Sequence, residues 1–144
     1  MQIREILTLK SDDIHSIAPT DTVEAAVGKL VGLGVGSLVV MQGGEMMGLL
    51  TERDIVKGMV KHGCDLKDTP VSQVMVTEPV VASADDSVDY ARDVMTKSHI
   101  GHLPILDGNT LLGIISFHDV ARACLKEANF ENSLLKRYIK HWPE

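Results

Sequence analysis

Apolar positions in this chain follow two alternating rhythms. After Thr20-Asp21-Thr22-Val23-Glu24, the residues Val23, Ala26, Val27, Leu30 and Val31 recur at the three-and-four spacing of an amphipathic helix. A continuous apolar run from Ser37 to Met41 comes next. It is followed by Gln42-Gly43-Gly44-Glu45 and a second run from Met46 to Leu50. Two short apolar runs parted by a glycine-containing turn predict a hairpin whose strands are buried.

The pattern is then repeated. A shift of 65 positions lays Gly36-Ser37-Leu38-Val39-Val40 on Gly101-His102-Leu103-Pro104-Ile105. It also lays Gly48-Leu49-Leu50-Thr51-Glu52-Arg53-Asp54 on Gly113-Ile114-Ile115-Ser116-Phe117-His118-Asp119. Asp21 meets Asp86, Val23 meets Val88, Ala26 meets Ala91 and Gly43 meets Gly108. Val88, Ala91, Val94 and Met95 supply the helix stripe of the second copy, and Leu103–Leu106, Asp107-Gly108-Asn109-Thr110 and Leu111–Ile115 supply its hairpin. An internal duplication of this size means two like folding units, each a helix, a hairpin and a further helix.

Each hairpin runs into a polar junction. Thr51-Glu52-Arg53-Asp54 and Ser116-Phe117-His118-Asp119 place a hydroxyl three positions before a carboxylate, ahead of Ile55, Val56 and Met59 or of Val120, Cys124 and Leu125. One reading is a capping box, in which the hydroxyl satisfies a free backbone N–H and the acid favours the positive helix end. Repetition at equivalent places after a glycine-led strand points to more than capping.

The apolar strand, the Asp-Gly turn and the run Gly113-Ile114-Ile115-Ser116-Phe117-His118-Asp119 resemble a CBS domain. Two in tandem resemble a Bateman module. His102-Leu103-Pro104-Ile105-Leu106-Asp107-Gly108 follows the family pattern closely, whereas the first copy, Gly36 to Val56, has Leu38-Val39 in place of the Leu-Pro pair. The resemblance covers the chain from about Ile6 to Leu125. It implies an α/β (α+β) fold of two β-α-β-β-α repeats, their sheets packed to leave two symmetry-related clefts.

Such modules are regulatory and bind AMP, ADP, ATP, NAD(H) or S-adenosylmethionine. The resemblance places Asp54 and Asp119 at the ribose. An ionised carboxylate is acceptor-only, and its two oxygens suit the two hydroxyls of a ribose diol. Thr51 and Ser116 would offer hydroxyls to ribose or phosphate, beside helix starts that favour negative charge. Adenine would need an apolar slot, for which Ile17, Val35, Gly36 and Leu50 are candidates in the first copy and Val81, Ala82, Ile100, Gly101 and Ile115 in the second. Ser16 joins the first set because the family often has a hydroxyl there, a habit from which Val81 departs. Positive charge for phosphate would come from Arg53 and Lys57 in the first copy and from His102, His118 and Arg122 in the second. A forked guanidinium and an imidazole grip phosphate differently, so the two sites are expected to prefer different ligands.

Composition removes several alternatives. A chain of 144 residues with 44% hydrophobic and 3% aromatic content can form a compact aliphatic core. A net charge of −6 and a pI near 5.4 provide no basic patch for nucleic acid or an anionic membrane. No apolar stretch approaches the roughly 20 residues of a membrane span. Met1 to Ile6 lacks a signal-peptide core, and Cys64 and Cys124 stand alone rather than in a CxxC pair, so a cytoplasmic protein is expected. His99 and His102 lack a third ligand at useful spacing, which argues against a metal site. No nucleophile elbow is present, and Gly32-Leu33-Gly34-Val35-Gly36 precedes a strand and lacks the Lys-Ser/Thr of a P-loop.

The expected division is therefore 1–68 for the first repeat with its N-terminal segment and linker, 69–125 for the second, and 126–144 for a C-terminal helix. Lys61 to Pro70 reads as the linker. Phe130, Leu134, Tyr138 and Ile139 give the tail from Glu127 to His141 an apolar face, ahead of Trp142 and Pro143. The expectation is a non-catalytic sensor without catalytic cofactor or metal. It pairs as a homodimer, as the resemblance implies, and signals to a client protein. The alternative is an interaction protein whose clefts stay empty.

Overall fold

The computed structural model describes residues 1–10 and 13–140. Its elements in chain order are α1 (Ile3–Leu9), β1 (Ser16–Ile17), α2 (Val23–Leu33), β2 (Ser37–Gln42), β3 (Glu45–Thr51), α3 (Glu52–His62), a 3-10 turn (Val71–Gln73), β4 (Ala82–Ser83), α4 (Val88–Ser98), β5 (His102–Asp107), β6 (Thr110–Ser116) and α5 (Phe117–Lys140). They form two compact units, Asp12–Val81 and Met1–Ser11 with Ala82–Glu144.

In the first unit, β1 runs parallel to β2 and β2 runs antiparallel to β3. Gly43 and Gly44 both adopt positive φ in the hairpin turn, as a two-residue turn matched to strand twist requires. Thr22 caps α2 by accepting the Ala25 N–H at 3.1 Å. Gly34 ends that helix in the left-handed region, φ 65°. The buried stripe Val23, Ala26 and Leu30 closes over Ile17, Leu38, Val40 and Leu50. Fully burying a side chain such as Leu38 or Leu50 contributes about 1.5–3 kcal/mol relative to exposure.

The second unit repeats this plan. Its sheet runs β4-β5-β6, and the ladder shifts register between Ile105 and Leu106 as the first does between Val40 and Met41. Ser87 caps α4, and His99 takes the left-handed place that Gly34 holds in the first unit. Val88, Ala91, Met95, Leu103, Ile105 and Ile115 make the core.

A docked strap completes each unit, and here the structure departs from the expected boundaries. Ile3 and Arg4 donate their N–H groups to the Asp86 and Ala84 carbonyls, both at 2.9 Å. Val71 and Ser72 make the matching bonds to Asp21 and Pro19 at 2.8 and 3.0 Å. The acceptors are 65 positions apart but the donors 68. Ile3, fully buried, thus belongs to the core of the second repeat, although it opens the chain. Val71 belongs to the core of the first. A boundary at 68/69 cuts through the first unit. The segment read as a linker is docked as well: Leu66 is buried, and Lys67 and Thr69 accept N–H groups from the start of α2.

Beyond Leu125 the chain does not begin a separate helix. With neither glycine nor proline from Phe117 to Lys140, and with Ala121, Ala123, Leu125, Lys126, Glu127 and Ala128 favouring helix, α5 continues unbroken for 24 residues. Val120 and Ala123 are buried, whereas Phe130, Leu134, Tyr138 and Ile139 are exposed. His141, Trp142 and Pro143 lie outside the described residues.

Candidate functional site

At the first junction, the last residue of β3 and the first turn of α3 hold one another. Thr51 N–H and Thr51 Oγ1 both donate to Asp54 Oδ2, at 2.9 and 2.8 Å, while Asp54 N–H donates back to Thr51 Oγ1 at 3.2 Å. Glu52 N–H reaches the Gly36 carbonyl at 3.2 Å, which ties the helix start to the turn before β2. Asp54 is buried by this arrangement, a costly place for a charge unless hydrogen bonds compensate it.

The second junction has the same construction. Ser116 N–H donates to Asp119 Oδ2 at 2.8 Å, Asp119 N–H donates to Ser116 Oγ at 3.1 Å, and Phe117 N–H donates to the Gly101 carbonyl at 2.8 Å. The capping reading is thereby satisfied at both ends. It does not exhaust the carboxylates, because the hydrogen bonds from the Thr51 and Ser116 N–H groups fall on a single oxygen, Oδ2.

What distinguishes the second junction is Lys10, at the end of the N-terminal strap. Its Nζ donates to Asp119 Oδ2 at 2.6 Å and to the Ile114 carbonyl at 2.8 Å. Burial pushes the Asp119 carboxyl up, but the Lys10 ammonium and the Ser116 hydrogen bonds outweigh it and hold the carboxyl below the usual aspartate range. Nothing in the local sequence around Asp119 signals this partner. The available signal is the apolar spacing shared by Ile3, Ile6 and Leu7 with Val71, Val74 and Met75, which marks the two straps as equivalents.

The other expected residues distribute unevenly. His102 lies directly opposite Ser116 in the β5–β6 ladder, as Ser37 lies opposite Thr51. Arg122 Nη2 is 2.8 Å from His118 Nε2 on the exposed face of α5. Guanidinium is donor-only, so in this contact Arg122 is the donor and the ring nitrogen the acceptor. Arg53 and Lys57 are exposed on α3. Ser16 and Ile17 form β1, and the Ser16 carbonyl accepts from Lys29 Nζ. Val35 and Gly36 are half-buried before β2, Ile100 is half-buried and Gly101 exposed before β5, Val81 is exposed and Ala82 buried. The side chains of Ile17, Leu50 and Ile115 are buried in the unit cores. No cluster of three or more His, Cys, Asp or Glu residues among the described residues could hold a metal, and no helix there is long and apolar enough to cross a membrane.

A model of the CBS domain matches the chain twice, over residues 3–61 and 71–126. The chain is 35% identical over 108 residues to the CBS domain-containing protein YhcV of Bacillus subtilis, covering 75% of this chain and 76% of that one. Among solved structures, a CBS-domain-containing protein of Agrobacterium tumefaciens superposes with a TM-score of 0.81 at 29% identity, over 85% of this chain and 98% of that one. The CBS domain pair of protein MJ0100, solved in complex with 5′-methylthioadenosine and S-adenosyl-L-methionine, shares the fold with a TM-score of 0.76 at 21% identity, over 88% and 98%. The duplicated fold, its two capped junctions and these likenesses define a CBS pair. The chain belongs to the CBS-domain family.

Proposed function

We propose that this CBS pair is a non-catalytic regulatory module whose junctions bind adenosine-containing ligands, with Asp54 and Asp119 as the ribose acceptors. The observation that carries the reading is the orientation of the two capping boxes. Each commits one lone pair of Oδ2 to a backbone N–H at the helix start, leaving Oδ1 for one ribose hydroxyl and the second Oδ2 lone pair for the other. The adenosine ligands of MJ0100 support the same ligand class. AMP, ADP, ATP and NAD(H) are the candidates. Arg53 and Lys57 would serve phosphate at the first junction, and His102, His118 and Arg122 at the second. Val35, Gly36, Val81, Ala82, Ile100 and Gly101 would line the base.

Ligand is a signal only if it binds two arrangements of the module with different affinity. The module acts as a homodimer that passes this difference to a client protein. Its compartment is the cytoplasm, which the two free thiols, Cys64 and Cys124, fit.

A thermal-shift screen of nucleotide-stripped protein against AMP, ADP, ATP, NAD, NADH and S-adenosylmethionine tests the reading, since a ligand that binds only the folded state raises its melting point. A shift with one or two of these compounds supports it. No shift with any would favour the interaction protein with empty sites.

A further inference from the structure

The geometry points to Lys10 as a specificity-determining residue of the second junction: an internal competitor that occupies Asp119 and weakens ribose binding there relative to the first. This inference rests on the ribose reading above and adds to it a ranking of the two sites.

The two junctions share one construction, and Lys10 on Asp119 is a difference between them. In the first unit the Leu49 carbonyl is satisfied by the strap backbone, through Val76 N–H at 2.9 Å. The equivalent carbonyl in the second unit, on Ile114, is satisfied by the Lys10 side chain at 2.8 Å. The same ammonium then extends to Asp119 Oδ2 at 2.6 Å. Shifting the strap by 68 positions brings Lys10 to Glu78, which is exposed and opposite in charge. No corresponding cation comes from the first strap.

The consequence follows from acceptor capacity. Asp119 Oδ2 receives the Ser116 N–H and the Lys10 ammonium, and an sp² oxygen has two lone pairs. A ribose diol that engages both carboxylate oxygens must therefore displace Lys10, whereas at Asp54 the second donor to Oδ2 is the Thr51 hydroxyl, which rotates at little cost. The Lys10 side chain is 36% exposed, so water screens the pair and limits what it can withhold. An ion pair of that exposure corresponds to roughly a fivefold change in affinity.

The test is calorimetric titration of the full chain with AMP, using Asp54→Asn to silence the first junction. In that background Lys10→Met is expected to tighten AMP binding roughly fivefold. Lys10→Arg, which keeps the charge and the donors, should restore the parent value. Lys10→Gln retains a donor for the Ile114 carbonyl without the charge and should behave as Lys10→Met does, which guards against a strap that simply undocks. With 2′,3′-dideoxy-AMP, which lacks the diol, Lys10→Met should bring no gain, whereas a purely structural role for Lys10 would move both ligands alike. Measurable AMP binding that Lys10→Met leaves unchanged or weakens overturns the competitor role and spares the ribose reading. Absence of AMP binding in both the wild type and the Asp54→Asn protein overturns both.

Discussion

Lys10 and Asp119, 109 residues apart in the chain, form an ion pair of 2.6 Å that fastens the N-terminal strap to the helix start of the second repeat. The pair ties the stability of this unit to pH. With the Asp119 carboxyl held below its ordinary value of 3.8, the folded state binds its proton less readily than the unfolded chain. Its contribution is fully present above that ordinary value and is lost as pH falls through the lower folded one. Urea midpoints measured from pH 7 downward should show wild type more stable than Asp119→Asn near neutrality and the gap closing below about pH 4. A gap that stays constant through the acid range would mean that the pair does not set the carboxyl's affinity for protons.

Capping and ligand binding separate cleanly at Asp54. Asp54→Asn weakens the box with Thr51 and should cost about 1 kcal/mol of stability without ligand, read as a lower melting temperature. The ribose reading requires in addition a loss of adenosine affinity at one site only, with the other untouched. Calorimetry that finds unchanged affinity in both Asp54→Asn and Asp119→Asn removes the ribose assignment and leaves the capping role standing.

Two glycines should fail for different reasons. Gly34 sits at φ 65° with open space around it, so Gly34→Ala costs only backbone strain, about 1 kcal/mol. At Gly48 an added Cβ would lie 2.5 Å from the Val76 carbonyl oxygen. Gly48→Ala must push the strap off β3 and should cost about 1–3 kcal/mol. Hydrogen exchange discriminates further: protection at Leu49 and Val76, which bond reciprocally at 2.9 Å, should fall in Gly48→Ala and persist in Gly34→Ala.

The parts that could be read from the chain alone are those governed by short-range periodicity. The stripe Val23, Ala26, Leu30, the hairpin turn at Gly43-Gly44 and the hydroxyl-to-acid spacing at both junctions all involve residues within a few positions of one another. The shift of 65 then doubled each observation. The straps escaped because their spacing is 68 and their partners lie far away in sequence, as Ile3 with Asp86 and Lys10 with Asp119 show. For the same reason Ile17, Leu50 and Ile115 read as candidates for a base-lining slot, whereas the structure packs them into the unit cores. An apolar strand residue announces burial but not which neighbour buries it. The continuation of α5 past Leu125 was legible in the absence of any breaker, yet the end of the repeat pattern there suggested a boundary that the backbone does not make.

Arg122 and His118 provide the last expectation. Bound to the ring Nε2 at 2.8 Å, the Arg122 guanidinium is held on the face of the first turns of α5, one helical turn beyond Asp119. A guanidinium keeps its charge at any physiological pH, and the contact with His118 orients it. If this pair receives phosphate, Arg122→Ala should weaken AMP roughly tenfold while leaving adenosine nearly unchanged, because a charge-assisted bond is lost from the phosphate alone. His118→Ala should have a smaller effect of the same kind, since it releases Arg122 without removing its charge. Titrations with AMP and adenosine in the Asp54→Asn background read both. Equal losses for the two ligands would show that Arg122 supports the helix rather than the phosphate.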